Sequence, residues 1–222
     1  MNTCSGIKGV IFDMDGVLVD SERLYLRFWR EACAAFGFDL SEEQGLSLRS
    51  NSPETAIPKF RAWFGEKADY AAIRDKRRQM MAQYIDTNGV ALKEGAAEIM
   101  AFLKANGFQV ALATASPVRR AEHYLAPHGL FGAFDAIVSG AEIAHSKPAP
   151  DIYIRAAAAL ALHPSACLAV EDSPTGVQSA HDAGCFTVMI PDLTPPDAVT
   201  ARLADRVLEH LTDIKMLLAD NT

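Results

Sequence analysis

The chain has 222 residues, of which half are hydrophobic and 22% are charged, and its formal net charge is −7 at pH 7. This composition is typical of a globular protein and excludes collagen-like or largely disordered chains. The acidic balance argues against nucleic acid as the main partner. The longest unbroken apolar run, residues 156–162, is too short to cross a bilayer, so we expect no membrane attachment.

The cysteines and the N-terminal segment indicate the compartment. Four cysteines are scattered without a close pair, so neither a zinc site nor a disulfide framework is indicated. The apolar run 10–12 is interrupted at once by Asp13, which is not the pattern of a signal peptide. We therefore expect a protein of the reducing cytoplasm.

The first third of the chain predicts one strand followed by helices. Residues 7–12 form a short β-branched run, which predicts a buried strand that ends abruptly at Asp13. Between residues 21 and 86 no segment resembles a strand, and apolar residues recur at helical spacing. Within that stretch, we predict that a helix begins at Pro53, with Ser52 as its N-cap.

After Gly95 the pattern changes to helices that alternate with apolar runs. The runs that predict further strands are residues 108–113, 136–138, 167–170 and 186–190. Strands separated by helices form parallel sheets, so we predict a doubly wound α/β core interrupted by a helical insertion of roughly 70 residues. The core is expected at residues 1–18 plus 92–222, and the helical domain at residues 19–91.

Polar residues lie where several of these strands end. In an open parallel sheet, ligands bind beyond the carboxyl ends of the strands, where the strand order reverses. The side chains expected at this edge are those of Asp13, Asp15, Thr114, Lys147, Glu171 and Asp172. They are therefore the candidate site residues.

The four acidic residues predict a metal site. Asp13 and Asp15 are two residues apart and face the same way in extended geometry, and Glu171 with Asp172 would add to their repulsion. A hard divalent cation relieves such repulsion, and an all-oxygen ligand set suits Mg²⁺, the expected cofactor. The alternative is that these acids only cap the segments that follow them, because Asp is favoured at turns and N-caps.

The same residues predict phosphoryl transfer. Mg²⁺ held by few carboxylates usually serves a phosphate ligand, and a carboxylate can attack phosphorus, so Asp13 is the candidate nucleophile. Asp15 is placed to protonate the leaving oxygen and then to deprotonate a water molecule. Thr114, with Ala115 after it, is expected to cradle the phosphate at a helix start.

Two further residues complete this predicted cradle. Ser116 is expected to be the N-cap of the helix that follows Thr114, with Pro117 as its first residue. Lys147 lies between prolines and can bind a phosphoryl oxygen as a point charge. The alternatives are a turn residue at Thr114 and a solvated loop lysine at Lys147.

The motifs resemble those of a known family. Asp13-Met14-Asp15-Gly16-Val17, Thr114, Lys147-Pro148 and Glu171-Asp172-Ser173 resemble the four motifs of the haloacid dehalogenase superfamily, in order and spacing. The insertion after the first motif resembles the subgroup that includes β-phosphoglucomutase and many sugar-phosphate phosphatases. The resemblance implies a Rossmann-like core with a mobile four-helix cap that closes over the site.

The resemblance also implies roles for individual residues. Asp13 would be the nucleophile and Asp15 the acid/base, while Thr114 and Lys147 would hold the phosphoryl group. The implied ligands of Mg²⁺ are Asp13, the Asp15 carbonyl, Glu171 and Asp172.

Departures from the family patterns favour a phosphatase. The presence of Asp15 argues against a dehalogenase, because dehalogenases lack an acidic residue at that position. The mutases carry a His in the first cap helix where this chain has Tyr25, and a cap arginine that Arg49 does not match in position. We therefore predict hydrolysis of a small phosphorylated metabolite, such as a sugar phosphate. The alternatives are a β-phosphoglucomutase-type mutase and a phosphoacceptor signalling module of the receiver type.

The expected cap contributes candidates for contact with the substrate's leaving group. These candidates are Arg49, Ser50 and Asn51. The basic run at residues 76–78 is also a candidate, although a solvated cationic face is the more common origin of such a run. We expect a monomer or a weak dimer.

Overall fold

The structure is a computed structural model that describes residues 6–49 and 51–219. The described residues divide into two compact units. The larger is built from Met1–Asp20 with Ala91–Thr222, and the smaller from Ser21–Val90.

A parallel sheet of six strands forms the centre of the larger unit, counted within the described residues. The strands are β1 (Gly9–Phe12), β2 (Gln109–Thr114), β3 (Ala136–Ser139), β4 (Cys167–Glu171), β5 (Phe186–Met189) and β6 (Arg206–Val207). Their order across the sheet is β3-β2-β1-β4-β5-β6, and each pairing is parallel. The strand order therefore reverses between β1 and β4, which makes their carboxyl ends the expected place for a ligand.

The smaller unit is helical. Its helices in the described chain are α1 (Ser21–Ala35), α2 (Glu42–Leu46), α3 (Pro53–Phe64) and α4 (Tyr70–Asn88). The centre of their shared core is aromatic. The buried ring of Phe60 lies 5.5 Å from that of Trp29 and 5.0 Å from that of Tyr70, between ring centroids. These large rings give the small unit an apolar core of its own.

Helices flank the sheet of the larger unit. They are α5 (Ala96–Ala105), α6 (Val118–Leu125), α7 (Asp151–Ala159), α8 (Pro174–Asp182), α9 (Thr200–Leu203) and α10 (Ile214–Ala219). Helix α7 packs on β1, β2 and β3, and α8 packs on β4 and β5. The central strands are buried along their whole length, as is typical of a parallel sheet covered on both faces.

The predicted fold class, a doubly wound parallel sheet with inserted helices, is confirmed. The structure contains every predicted strand and also β6, which sequence analysis missed because its two exposed residues form no apolar run. None of the described helices combines the length and the apolar character that a membrane span requires.

One of the two predicted helix starts is confirmed, because Ser52 occupies the N-cap of α3 and Pro53 is the first residue of that helix, although Ser52 makes no side-chain cap bond. Helix α8 is capped by Ser173, which accepts a hydrogen bond from the backbone N–H of Gly176. The prediction for α6 was wrong. Its N-cap is Pro117, so Ser116 lies one residue before the cap, and its hydroxyl is used elsewhere.

Candidate active site

The candidate residues meet at the carboxyl edge of the sheet. Asp13 directly follows β1, Thr114 ends β2, and Glu171 ends β4 with Asp172 after it. The backbone N–H of Asp13 donates to the carbonyl of Val170 at 3.0 Å, which extends the pairing of β1 and β4 up to the site. The parallel topology therefore joins residues that are far apart in the sequence.

Three carboxylates form a buried acidic cluster, defined here as Asp13, Glu171 and Asp172. Each offers one ligand oxygen, and these oxygens lie within 4.8 Å of one another. Their residues are only 8%, 0% and 3% exposed, respectively. Anions held this closely away from water repel each other strongly, so the cluster requires positive charge nearby.

Lys147 supplies part of that charge. Its Nζ lies 2.6 Å from Asp13 Oδ1 and 2.5 Å from Glu171 Oε1. Burial lowers the pKa of Lys147, but the charges of the two carboxylates outweigh this effect and raise the pKa above its ordinary value. Lys147 is therefore an ammonium ion. When all three groups of the cluster are ionised, this single ammonium leaves two negative charges unbalanced.

Burial is the main reason that the pKa of Asp13 is raised to about 8. The charge of Lys147 and its hydrogen bond oppose this increase, and the charges of Glu171 and Asp15 add to it. A carboxyl group with this pKa is largely protonated at neutral pH. For Asp13 to act as an anion, positive charge beyond that of Lys147 is required.

Tyr153 on α7 is a site residue that sequence analysis missed. Its hydroxyl donates to Glu171 Oε1 at 2.7 Å, and its ring centroid lies 5.1 Å from the Lys147 Nζ. Burial, reinforced by the charge of Glu171, raises its pKa well above the ordinary value, so the phenol stays a hydrogen-bond donor. In the sequence, Tyr153 fits the apolar spacing of α7 and cannot be distinguished from a core residue.

Two glycines allow the carboxylates to approach the backbone. Gly176 lies in the first turn of α8, where a Cβ would overlap the Glu171 carboxylate. Gly16 has a φ of +84°, and a Cβ there would overlap the Asp172 carboxylate. Gly16 is therefore required both by its backbone conformation and by the space that Asp172 occupies.

Asp15 and Thr114 lie beside the acidic cluster and are linked by Ser116. The Ser116 hydroxyl donates to Asp15 Oδ2 at 3.0 Å, and the Ser116 backbone N–H donates to Thr114 Oγ1 at 3.0 Å. Thr114 is fully buried, whereas Ala115, which follows it, is exposed at the edge of the sheet. The structure thus brings the predicted acid/base and the predicted phosphate cradle together.

The predicted leaving-group contacts belong to the smaller unit. Arg49 Nε donates to Glu22 Oε2 at 2.8 Å, and Asn51 Nδ2 donates to the carbonyl of Ser47 at 2.6 Å. Ser50 lies outside the described residues. Contact of these residues with a substrate stays a prediction.

The interpretation of the basic run at residues 76–78 as a solvated face is wrong for its middle residue. Lys76 and Arg78 are exposed, but Arg77 is buried, with its guanidinium 4.7 Å from the ring centroid of Tyr25 and 5.0 Å from that of Trp29. Burial lowers the pKa of Arg77. Its position on α4 directs it at the aromatic side chains of α1, which a run of charges does not reveal.

Comparison with protein families assigns the class. Residues 7–184 match a family model described as haloacid dehalogenase-like hydrolase. The chain therefore belongs to the haloacid dehalogenase-like hydrolases, which confirms the predicted resemblance and the predicted enzyme class, a phosphatase of this type. Membership of this family excludes the receiver-type signalling module.

Individual relatives cover nearly the whole chain. Protein CbbY of Rhodobacter capsulatus is 34% identical over 83% of this chain and 86% of its own length. Hexitol phosphatase B of Escherichia coli (strain K12) is 31% identical over 96% of this chain and 97% of its own. The crystal structure of a hydrolase of this family from Deinococcus radiodurans R1, with bound phosphate and sodium, has a TM-score of 0.84. It is 28% identical and covers 98% of this chain and 97% of its own.

The relatives include a mutase as well. The β-phosphoglucomutase of Bacillus subtilis (strain 168) is 27% identical over 92% of this chain and 94% of its own length. The comparisons therefore define a phosphoryl-transfer family in which both phosphatases and a mutase occur.

Loss of one cluster carboxylate is expected to weaken cation binding more than it weakens the fold. Asp172→Asn keeps the size of the side chain and removes one anionic ligand. We expect Mg²⁺ to raise the Tm of the parent protein. We expect the Kd for Mg²⁺, measured by titration calorimetry, to be about 10-fold higher in the variant than in the parent, or more. Asp182→Asn removes the same charge from an exposed position on α8 and is the control. Equal Mg²⁺ affinity in parent and Asp172→Asn would contradict a cation site here.

Gly16→Ala is expected to damage the site through the Asp172 carboxylate. Gly107→Ala is its matched control, because Gly107 has a φ of +76° in the same unit and a Cβ there would meet open space. Both substitutions should lower the free energy of unfolding by about 1–2 kcal/mol through backbone strain. Only Gly16→Ala should also lose Mg²⁺ affinity in the same titration, and equal losses in both variants would argue against the close approach.

Proposed function

We propose that this protein is a Mg²⁺-dependent phosphatase that hydrolyses a small phosphomonoester through an aspartyl phosphate on Asp13. The observation that carries this proposal is the buried acidic cluster with Lys147. When its three groups are ionised, the cluster has two unbalanced negative charges, which one divalent cation balances. The residues proposed as nucleophile, acid/base and phosphate donor, which are Asp13, Asp15 and Thr114, follow or end strands at the same edge of the sheet as that cluster.

The donor atoms of the cluster fit a magnesium ion. The residues that would hold it are Asp13, Glu171, Asp172 and, through its main-chain carbonyl, Asp15. Their ligand atoms are all oxygens, which a hard cation prefers over nitrogen or sulfur. When bound, the ion supplies charge that offsets the phosphoryl oxygens and lets an anionic nucleophile approach them.

In the first proposed step, a carboxylate oxygen of Asp13 forms a bond to phosphorus as the bond from phosphorus to the leaving oxygen breaks. The leaving oxygen takes the proton of the Asp15 carboxyl group and departs as an alcohol. In the second step, Asp15 takes a proton from a water molecule whose oxygen attacks the same phosphorus. The bond between Asp13 and phosphorus then breaks, which releases inorganic phosphate and restores both aspartates.

The proposed phosphate cradle contains two hydrogen-bond donors that have no acceptor among the described residues. These donors are the hydroxyl hydrogen of Thr114 and the backbone N–H of Ala115. Two donors beside the nucleophile are what the oxygens of a transferring phosphoryl group require. The ammonium of Lys147 adds a positive charge on the same side of Asp13.

The proposed substrate is a small sugar or sugar-alcohol phosphate. The name of a hexitol phosphatase among the relatives supports this class, and Arg49, Ser50 and Asn51 are the proposed contacts of its leaving group. We further place the enzyme in the cytoplasm, as a monomer or weak dimer. The described cysteines support this compartment, because Cys33, Cys167 and Cys185 are buried free thiols.

The nucleophile assignment is tested by Asp13→Asn, which keeps the shape of the side chain but removes its anionic oxygen. We expect phosphate release from p-nitrophenyl phosphate to fall by at least about 1,000-fold. Asp182→Asn should keep the parent's rate. Acid quenching of the parent during turnover should yield a peptide with one added phosphoryl group at residue 13. A variant as fast as the parent would overturn the assignment.

A mutase is the second candidate function, because a relative carries that name. The chain has Tyr25 where the mutases have a His, and the phenol lies against the guanidinium of Arg77 rather than offering an imidazole for proton transfer. We therefore expect the protein, given β-glucose 1-phosphate with glucose 1,6-bisphosphate, to release inorganic phosphate. Formation of glucose 6-phosphate is measured with a coupled dehydrogenase assay. Its formation without release of inorganic phosphate would instead establish a mutase.

A further inference from the structure

We propose that Arg120, on α6, positions the acid/base Asp15 through the hydroxyl of Ser116. This inference rests on the proposed function and adds to it a residue to which the sequence pattern assigned no role. All three residues belong to the larger unit.

The hydrogen bonds form a chain with a defined direction. Arg120 Nη1 lies 3.2 Å from Ser116 Oγ, which lies 3.0 Å from Asp15 Oδ2. A guanidinium group only donates hydrogen bonds, so Ser116 Oγ must accept from Arg120. A serine hydroxyl has a single hydrogen, and with an acceptor carboxylate on its other side that hydrogen is directed at Asp15.

Ser116 is held in place on several sides. Its residue is buried, its backbone N–H donates to Thr114 Oγ1 at 3.0 Å, and its carbonyl accepts from Ser139 Oγ at 2.9 Å. Thr114 ends β2 and Ser139 ends β3, so two neighbouring strands fix the backbone of Ser116. Arg120 lies in the first turn of α6, where its own backbone N–H donates to the carbonyl of Pro117.

The hydrogen bond from Ser116 determines which oxygen of Asp15 transfers the proton. With Oδ2 held by Ser116, rotation of the carboxyl group is restrained, and Oδ1 is the oxygen that exchanges a proton with the leaving group. Proton transfer requires the acid within hydrogen-bond reach of the leaving oxygen, and small displacements of a catalytic group cost rate. Loss of Arg120 removes one donor that orients the Ser116 hydroxyl, and this weakens the restraint that Ser116 places on Asp15 Oδ2.

The test compares substrates that differ in their need for a protonated leaving group. An alkyl phosphate requires a proton on its leaving oxygen, whereas p-nitrophenolate departs as an anion. The variants are Arg120→Met and Ser116→Ala, with Arg120→Lys as the conservative replacement. The control is Arg119→Met, because Arg119 is the exposed neighbour on the same helix. The alkyl phosphate is the one that the parent hydrolyses fastest among sorbitol 6-phosphate, glucose 6-phosphate and glycerol 3-phosphate.

We expect Arg120→Met and Ser116→Ala to lower the single-turnover rate on the alkyl phosphate by about 10- to 100-fold with little change in KM. The single-turnover burst of p-nitrophenol should change by less than about 3-fold, because that step needs no acid. Arg120→Lys should recover part of the loss, and Arg119→Met should match the parent on both substrates.

The outcomes separate this proposal from the one on which it rests. Equal losses on both substrates would overturn the positioning role, because a residue that binds phosphate or only supports the fold affects both alike. Unchanged rates on both would also overturn it. A parent that hydrolyses neither p-nitrophenyl phosphate nor any of the alkyl phosphates would instead overturn the proposed function.

Discussion

The ammonium of Lys147, held between the carboxylates of Asp13 and Glu171, is the contact on which the site depends. It is the one cation of the described residues that bridges two members of the acidic cluster, and it offsets only one of three negative charges. Burial, together with the charges of Glu171 and Asp15, keeps the pKa of Asp13 high, which opposes the anionic form that the proposed nucleophile requires. In the proposed function, a divalent cation would balance the negative charge that Lys147 leaves in the acidic cluster.

The topology of the sheet explains why such crowding is possible. Because β1 lies between β2 and β4, its carboxyl end is flanked by the residues that follow both neighbours. Short hydrogen bonds and two glycines then bring the carboxylates against the backbone, and Tyr153 supports Glu171 and Lys147 from α7. On the other side, Ser116 and Arg120 hold Asp15. The proposed nucleophile Asp13 and the proposed acid/base Asp15 thus each have a side chain that holds them, Lys147 in one case and Ser116 in the other.

The smaller unit has a different design. Its helices pack around Phe60 and neighbouring rings, so its apolar core does not depend on the sheet. Residues on its polar surface can therefore change without disturbing this apolar core. Two of its cations have partners within the unit, because Arg49 pairs with Glu22 and Arg77 lies against the rings of Tyr25 and Trp29.

The amino-acid sequence by itself determined the parallel α/β core, the helical insertion, and the strand-end positions of Asp13, Thr114, Glu171 and Asp172. These features follow from local patterns, because apolar runs, helix signals and the residues that follow a strand can be recognised within short contiguous segments of the chain. Only the tertiary structure decided the hydrogen-bond partners of Tyr153, Ser116 and Arg120. In the sequence, Tyr153 resembles a core residue, Ser116 an N-cap and Arg120 a solvated helix cation. The fold brings Glu171 to Tyr153 and Asp15 to Ser116, which Arg120 also contacts, and contacts between segments far apart in the chain leave no periodic pattern in the sequence.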